Sequence, residues 1–147
     1  MEFKIGQLSP SNLASIYNAA YVDAKVNENG AYCDLTVNYK TCVSADAVSN
    51  NLTFSYAVYL DDTFTPESAN YLVNLLNLEL SLVKVYALKK SNKEDHITMV
   101  FRYDHMIFDY LSINGKTLIN IHRLFEQKLD QSGHIYRKVL LEINQRN

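Results

Sequence analysis

The sequence predicts an α+β fold, an antiparallel five-stranded sheet with helices packed on it in the order α-β-β-β-α-β-β-α. Three observations carry this. Ser9-Pro10 and Thr65-Pro66 are helix-start signals, and each precedes apolar residues at helical spacing. Between and after them lie runs in which apolar and polar residues alternate, the period of a strand with one buried face. Strands joined by connections this short form hairpins, and hairpins build antiparallel sheets.

The first helix starts with Ser9 as N-cap and Pro10 at the first helical position, where its missing N–H costs nothing. Leu13, Ile16, Tyr17, Ala20 and Tyr21 form its apolar face. A short polar strand is expected from Ala24 to Glu28, followed by Asn29-Gly30, a pair suited to a tight hairpin turn because both residues tolerate positive φ. In the next strand Ala31, Cys33, Leu35, Val37 and Tyr39 face inward, against Tyr32, Asp34, Thr36, Asn38 and Lys40. Ser44 to Asn51 reads as a loop ending in the turn-forming Ser49-Asn50-Asn51. Leu52, Phe54, Tyr56, Val58 and Leu60 then mark a third strand, which Asp61-Asp62-Thr63 closes.

Thr65 caps the second helix, whose stripe of Ala69, Leu72, Val73, Leu75, Leu76 and Leu80 is wide enough to be pressed between a sheet and a second surface. Val83, Val85 and Ala87 alternate with Lys84, Tyr86 and Leu88 in a fourth strand, and a charged hairpin loop runs from Lys89 to Asp95. The fifth strand, His96 to Tyr103, sets Ile97, Met99, Phe101 and Tyr103 against His96, Thr98, Val100 and Arg102. Asp104 to Asn114 is too apolar for a free loop and reads either as an irregular cover or as an extra short strand. After Gly115, a third helix carries Leu118, Ile121, His122, Phe125 and Leu129. Ser132-Gly133 marks a break or kink, beyond which His134 to Gln145 continues either the same helix or a fourth.

The 147 residues match one domain, residues 1 to 147, at about 150 residues per domain. Only 4 Gly and 2 Pro exclude low-complexity and collagen-like classes. With 14 Lys+Arg against 16 Asp+Glu, the chain lacks the basic balance that nucleic-acid binding requires, so no nucleic-acid partner is expected. No apolar run approaches the ~18 residues of a membrane span, since Tyr71 to Leu82 is interrupted by Asn74, Asn77 and Glu79. Met1 to Pro10 holds no apolar run of signal-peptide length, and two cysteines are few for a secreted scaffold. A cytoplasmic protein with no membrane partner is the expectation. Cys33 falls in step with Leu35 and Val37 and is expected to pack as a small hydrophobe. Cys42 has the opposite parity, which argues against a disulfide between them.

No catalytic motif is present. His96, His105 and His122 lack metal-ligand spacing, and no cysteine pair joins them, so they are expected to be exposed or hydrogen-bonded rather than metal-bound. Asp104, His105 and Asp109 could form an acid-base cluster, but no nucleophile signature accompanies them. Asp61-Asp62 could hold a hard cation, yet carboxylates before a helix already suit its positive end. No glycine-rich phosphate loop exists, and no cofactor or metal is expected. Tyr32, Tyr59 and Tyr86 lie opposite the core-facing sets, and Leu88 and Val100 are also off the core phase. Amphipathic tyrosines of this kind suit a protein interface, and they also suit cross-strand aromatic pairing that needs no partner.

Four local features carry a resemblance. The hairpin Val26 to Leu35 turns at Asn29-Gly30, and the second helix ends in Leu76-Asn77 just before a strand. The fifth strand runs Ile97-Thr98-Met99-Val100-Phe101-Arg102, and the third helix contains Arg123-Leu124-Phe125. Across roughly residues 9 to 130 the chain thus resembles the YbjN-like bacterial sensory transduction regulators, which share the fold of type III secretion chaperones. Tyr110 to Gly115 and a fourth helix, if formed, would be departures. The resemblance implies a non-enzymatic regulatory or chaperone-like protein-interaction module, often a homodimer, with no catalytic residues to carry over. The alternatives are a dedicated type III secretion chaperone, which a net charge of -2 supports weakly, and a small enzyme using Asp104, His105 and Asp109.

Overall fold

A computed structural model describes residues 1–28, 33–88 and 96–146. The elements are β1 (Glu2–Phe3), a 3-10 turn (Ile5–Gln7), α1 (Pro10–Ala19), β2 (Ala24–Val26), β3 (Leu35–Val37), β4 (Thr41–Asp46), β5 (Asn51–Tyr59), α2 (Pro66–Glu79), β6 (Lys84–Leu88), β7 (Thr98–Met106), β8 (Ile113–Asn114) and α3 (Gly115–Arg146). Strands β1 and β8 pair antiparallel, and the other six form one sheet in the order β2-β3-β4-β5-β7-β6. The ladders β2-β3, β3-β4, β4-β5 and β6-β7 are antiparallel.

The chain divides into two compact units. Unit 1 is Met1–Tyr56 with Tyr103–Leu124, and unit 2 is Ala57–Arg102 with Phe125–Asn147. In unit 1, α1 lies against β2 and β3, and Leu13, Tyr17, Leu35, Val37, Leu52, Phe54 and Leu118 are fully buried. In unit 2, α2 lies against β6, and Leu72, Leu76, Val85, Met99, Phe101 and Phe125 are buried. Each such side chain contributes about 1.5 to 3 kcal/mol, enough to hold short strands that propensity alone would not. The Phe64 and Tyr136 rings stack 5.5 Å apart in unit 2, where the Tyr136 hydroxyl also accepts from Asp61 N.

Both helix starts form as expected. Ser9 Oγ accepts from Asn12 N at 3.2 Å. Thr65 Oγ1 accepts from Ser68 N at 3.2 Å while Ser68 Oγ accepts from Thr65 N at 2.8 Å, a reciprocal capping box. The inward sets of β5, β6 and β7 also hold, with Leu52, Phe54, Val85, Met99 and Phe101 buried.

The expected five strands are six, because the segment read as one strand plus a loop is a hairpin. Strand β3 stops at Val37, and Lys40 N bonds Val37 O at 3.0 Å with Asn38 and Tyr39 at φ 52° and 59°. Two residues of positive φ inside such a bond are the turn that matches the twist of flanking strands. Tyr39 therefore leaves the expected inward face and is 76% exposed. Ser44 to Asp46, read as loop, completes β4, whose Thr41 and Val43 are buried. Ser49 and Asn50 do turn the chain, with Asp46 carboxylate oxygens accepting from Val48 N and Ser49 Oγ. The Asn29-Gly30 turn, Ala31, Tyr32 and the Lys89 to Asp95 loop lie outside the described residues.

Three further expectations are corrected. Helix α1 ends at Ala19, and Tyr21, at φ 60°, is turned out to solvent. Helix α3 runs through Ser132-Gly133 without a break. One glycine costs a helix about 1 kcal/mol, less than the burial of Leu129 and Val139 on either side. Cys33 is half-buried and hydrogen-bonded rather than packed in step with Leu35, because β3 begins only at Leu35 and the alternation does not extend back to residue 33. The segment 104–114 resolves into the end of β7, a turn and the short strand β8.

Candidate functional site

A buried polar cluster sits in the core of unit 1. The Tyr17 hydroxyl lies 2.8 Å from His122 Nδ1, and His122 Nε2 lies 3.0 Å from Thr41 Oγ1. Thr41 in turn donates to Val37 O at 3.3 Å. Since the threonine hydrogen is engaged, its oxygen accepts from Nε2–H and Nδ1 accepts from Tyr17, which assigns the neutral tautomer. The relay from Tyr17 through His122 and Thr41 to Val37 is satisfied at every step. Phe54 meets the imidazole edge at 5.5 Å. Burial pushes the His122 pKa down to about 4, so the ring stays neutral at neutral pH. Both nitrogens already have partners, which makes this histidine a structural element rather than a metal ligand or base.

The proposed acid-base residues do not share a direction. Asp104 and His105 are neighbours in β7, so their side chains leave opposite faces of the strand. Thr53 Oγ1 donates to Asp104 Oδ1 at 2.7 Å, and His105 Nδ1 lies 2.9 Å from the Tyr103 hydroxyl. Desolvation lowers the His105 pKa and raises that of Tyr103. Asp109 is exposed in the turn after β7. The same turn buries Ile107 but leaves Met106, Phe108, Tyr110 and Leu111 exposed, with the Phe108 and Tyr110 rings stacked at 5.7 Å. Asp61 folds onto its own turn, accepting from Thr63 N and Thr63 Oγ1, which lowers its pKa. Asp62 pairs with His96 at 3.0 Å. Among the described residues, no three His, Cys, Asp or Glu side chains converge as a metal site, and no helix is long and apolar enough to cross a membrane.

Unit 1 also holds a groove of about 850 Å³ whose lining includes Ile16, Ala19, Ile119, Asn120, Lys116 and Arg123. A Cβ on Gly115 would sit 3.3 Å from Ile16 Cγ2, so glycine allows the start of α3 to approach α1 closely.

The outer sheet face of unit 2 gathers the predicted interface residues. Register pairs Tyr86 with Val100, Leu88 with Thr98 and Lys84 with Arg102. Tyr86 is 36% exposed and Leu88 50%, while Val100 beneath them is 9% exposed and offers little area of its own. Tyr59, 61% exposed, stands over His96 with ring centres 5.2 Å apart. Tyr32 lies outside the described residues.

This face is open, and its edge is covered at Val85. Strand β6 ends the sheet order, so its outer backbone groups would be available to another strand. Asn77 at the end of α2 occupies those of Val85. Its Nδ2 donates to Val85 O at 2.8 Å, and Val85 N donates to its Oδ1 at 2.8 Å. One side-chain amide thus makes the bond pair that an incoming strand would make. Leu76 beside it is fully buried, which gives the Leu76-Asn77 pair a physical reason.

No protein-family model matches the chain, and no curated protein matches it. Its fold is similar to the crystal structure of YbjN from E. coli, provisionally described as a transcription regulator. The match has a TM-score of 0.60 at 14% identity and covers 93% of this chain and 92% of that one. At that identity the likeness is one of fold alone, and it bears out the YbjN-like fold expected from the four local features.

Proposed function

We propose that the chain is a non-enzymatic regulatory protein-interaction module that acts as a homodimer, with a second copy docking on the outer sheet face of unit 2. The observation that carries this reading is the exposed cluster of Tyr59, Tyr86 and Leu88 around Val100, beside a strand edge that Asn77 covers at Val85. Aromatic and aliphatic area with polar tips is what interface centres use. An edge covered in this way favours association through side chains over the addition of a strand, the other common mode of peptide capture. The described role of the YbjN structure as a transcription regulator supports the regulatory part at the level of fold.

Light scattering coupled to gel filtration tests the reading. A concentration-dependent dimer is expected, and the double substitution Tyr59→Ser with Tyr86→Ser should weaken it by about tenfold or more while leaving the far-UV circular dichroism unchanged. A monomer at every concentration would remove the homodimer, and a dimer indifferent to the double substitution would move the interface elsewhere.

A further inference from the structure

The groove of unit 1 has two helical walls of unlike chemistry. Asn12, Ser15, Ile16 and Ala19 line it from α1, and Lys116, Ile119, Asn120 and Arg123 line it from α3. Each set follows the spacing i, i+3, i+4, i+7, which gathers four side chains on one helix face. Gly115 lets α3 come up against Ile16, while Ser15 and Ala19 are too small to fill the groove. Its volume of about 850 Å³ lies within the range of small-molecule sites.

The polar groups of the α1 wall are already engaged. Asn12 Nδ2 donates to Gln7 O at 2.7 Å, and Ser15 Oγ donates to Ser11 O at 3.0 Å. The α3 wall differs, because Lys116 and Arg123 are exposed and, among the described residues, neither makes an ion pair. Glu2 is the acidic residue of the lining, and its Oε2 accepts from Ser112 Oγ at 2.8 Å. Two cations therefore face one carboxylate that already has a partner, and the groove carries a positive surplus over an apolar floor.

We propose that this groove binds a small carboxylate amphiphile, a free acid with an unbranched alkyl chain of medium length. The carboxylate takes the guanidinium fork of Arg123, whose planar geometry matches it, and Lys116 adds positive charge from the same helix face. The chain lies on Ile16, Ala19 and Ile119. From Lys116 to Arg123 the α3 wall runs two turns, about 11 Å, which suits such a chain. A stable protein partner would need about 800 Å² on each side, more than three apolar residues supply. The dimer face proposed above belongs to unit 2, so loss of either site leaves the other.

Titration of ¹⁵N-labelled full-length protein with octanoate, followed by amide chemical shifts, decides the proposal. Saturable shifts are expected in α1 from Asn12 to Ala19 and in α3 from Lys116 to Arg123. Acetate, which has the head without the chain, and octyltrimethylammonium, which has the chain with the opposite charge, should each bind at least about tenfold more weakly. The double substitution Lys116→Gln with Arg123→Gln should weaken octanoate by about tenfold or more, and Ala19→Leu, which fills the floor from an exposed helix position, should abolish it. Both variants should keep the wild-type far-UV circular dichroism. Absence of saturable shifts with octanoate, or shifts centred outside these two segments, overturns the proposal in the wild-type protein alone. Equal affinity for octyltrimethylammonium overturns the carboxylate, and equal affinity for acetate overturns the chain.

Discussion

Unit 1 buries a hydrogen-bonded polar network, whereas unit 2 sets tyrosines and a leucine on the outer face of its sheet. In unit 1 a histidine, a tyrosine and a threonine are buried together and satisfy one another. In unit 2 the described core is apolar apart from Ser132, and Tyr59 and Leu88 stand exposed on the sheet's outer face. A buried polar network tolerates little change, because any member left unpaired keeps its full desolvation cost. An exposed apolar face can vary without loss of fold, which leaves it available for recognition.

The largest effect should come from breaking the inward side of this contrast. His122→Ala removes a fully packed ring together with its hydrogen bonds to Tyr17 and Thr41, and it should cost about 3 to 5 kcal/mol in urea unfolding. The same residue makes stability depend on pH. Its pKa is about 4 in the folded chain against 6.5 for an ordinary histidine. Between those values the unfolded chain binds the extra proton, so the contribution is complete above pH 6.5 and falls by about 1.4 kcal/mol per pH unit, about 3 kcal/mol by pH 4. His122→Ala should flatten the profile over that window, and an equally steep wild-type and variant profile would assign the acid sensitivity to other groups.

The covered edge is the next point to break. Asn77→Ala leaves Val85 N–H and C=O without their partner and should cost about 1 to 3 kcal/mol. It should also raise self-association, because an open edge is a template for another strand. Equal oligomer size in wild type and variant by light scattering would show that the edge is protected by more than Asn77.

The smallest effect is expected at the β3-β4 turn. Tyr39 holds a positive φ that glycine adopts freely, and against that it makes surface contacts with Lys25, a 3.1 Å hydrogen bond and a cation 4.6 Å from the ring centre. Tyr39→Gly should therefore leave thermal stability unchanged or raise it by up to about 1 kcal/mol. A clear loss would mean that the Lys25 contacts outweigh the backbone strain.

Local rules were legible where the physics is local. Ser9-Pro10 and Thr65-Pro66 cap helices because a cap needs only the next three residues. The hairpin at Asn38-Tyr39 escaped notice because a tyrosine, a residue at home in strands, occupies the position where glycine usually marks such a turn. Strand β4 was hidden because its inward set of Thr41, Val43 and Ala45 carries one strongly apolar residue. His122 did fall within the apolar stripe of α3, which was a signal of burial. Its partners could not be read, since Tyr17 lies 105 residues away and Thr41 81.

The sequence by itself determined the helix starts and the inward faces of β5, β6 and β7, since each rests on periodicity or on neighbours a few residues apart, and the YbjN-like fold entered through a resemblance that the structural match supports. Only the tertiary structure decided the sixth strand, the relay around His122 and the amide of Asn77 on the edge of β6. These depend on which distant or irregular segments meet, and no spacing along the chain encodes a hydrogen bond that forms only after the strands have paired.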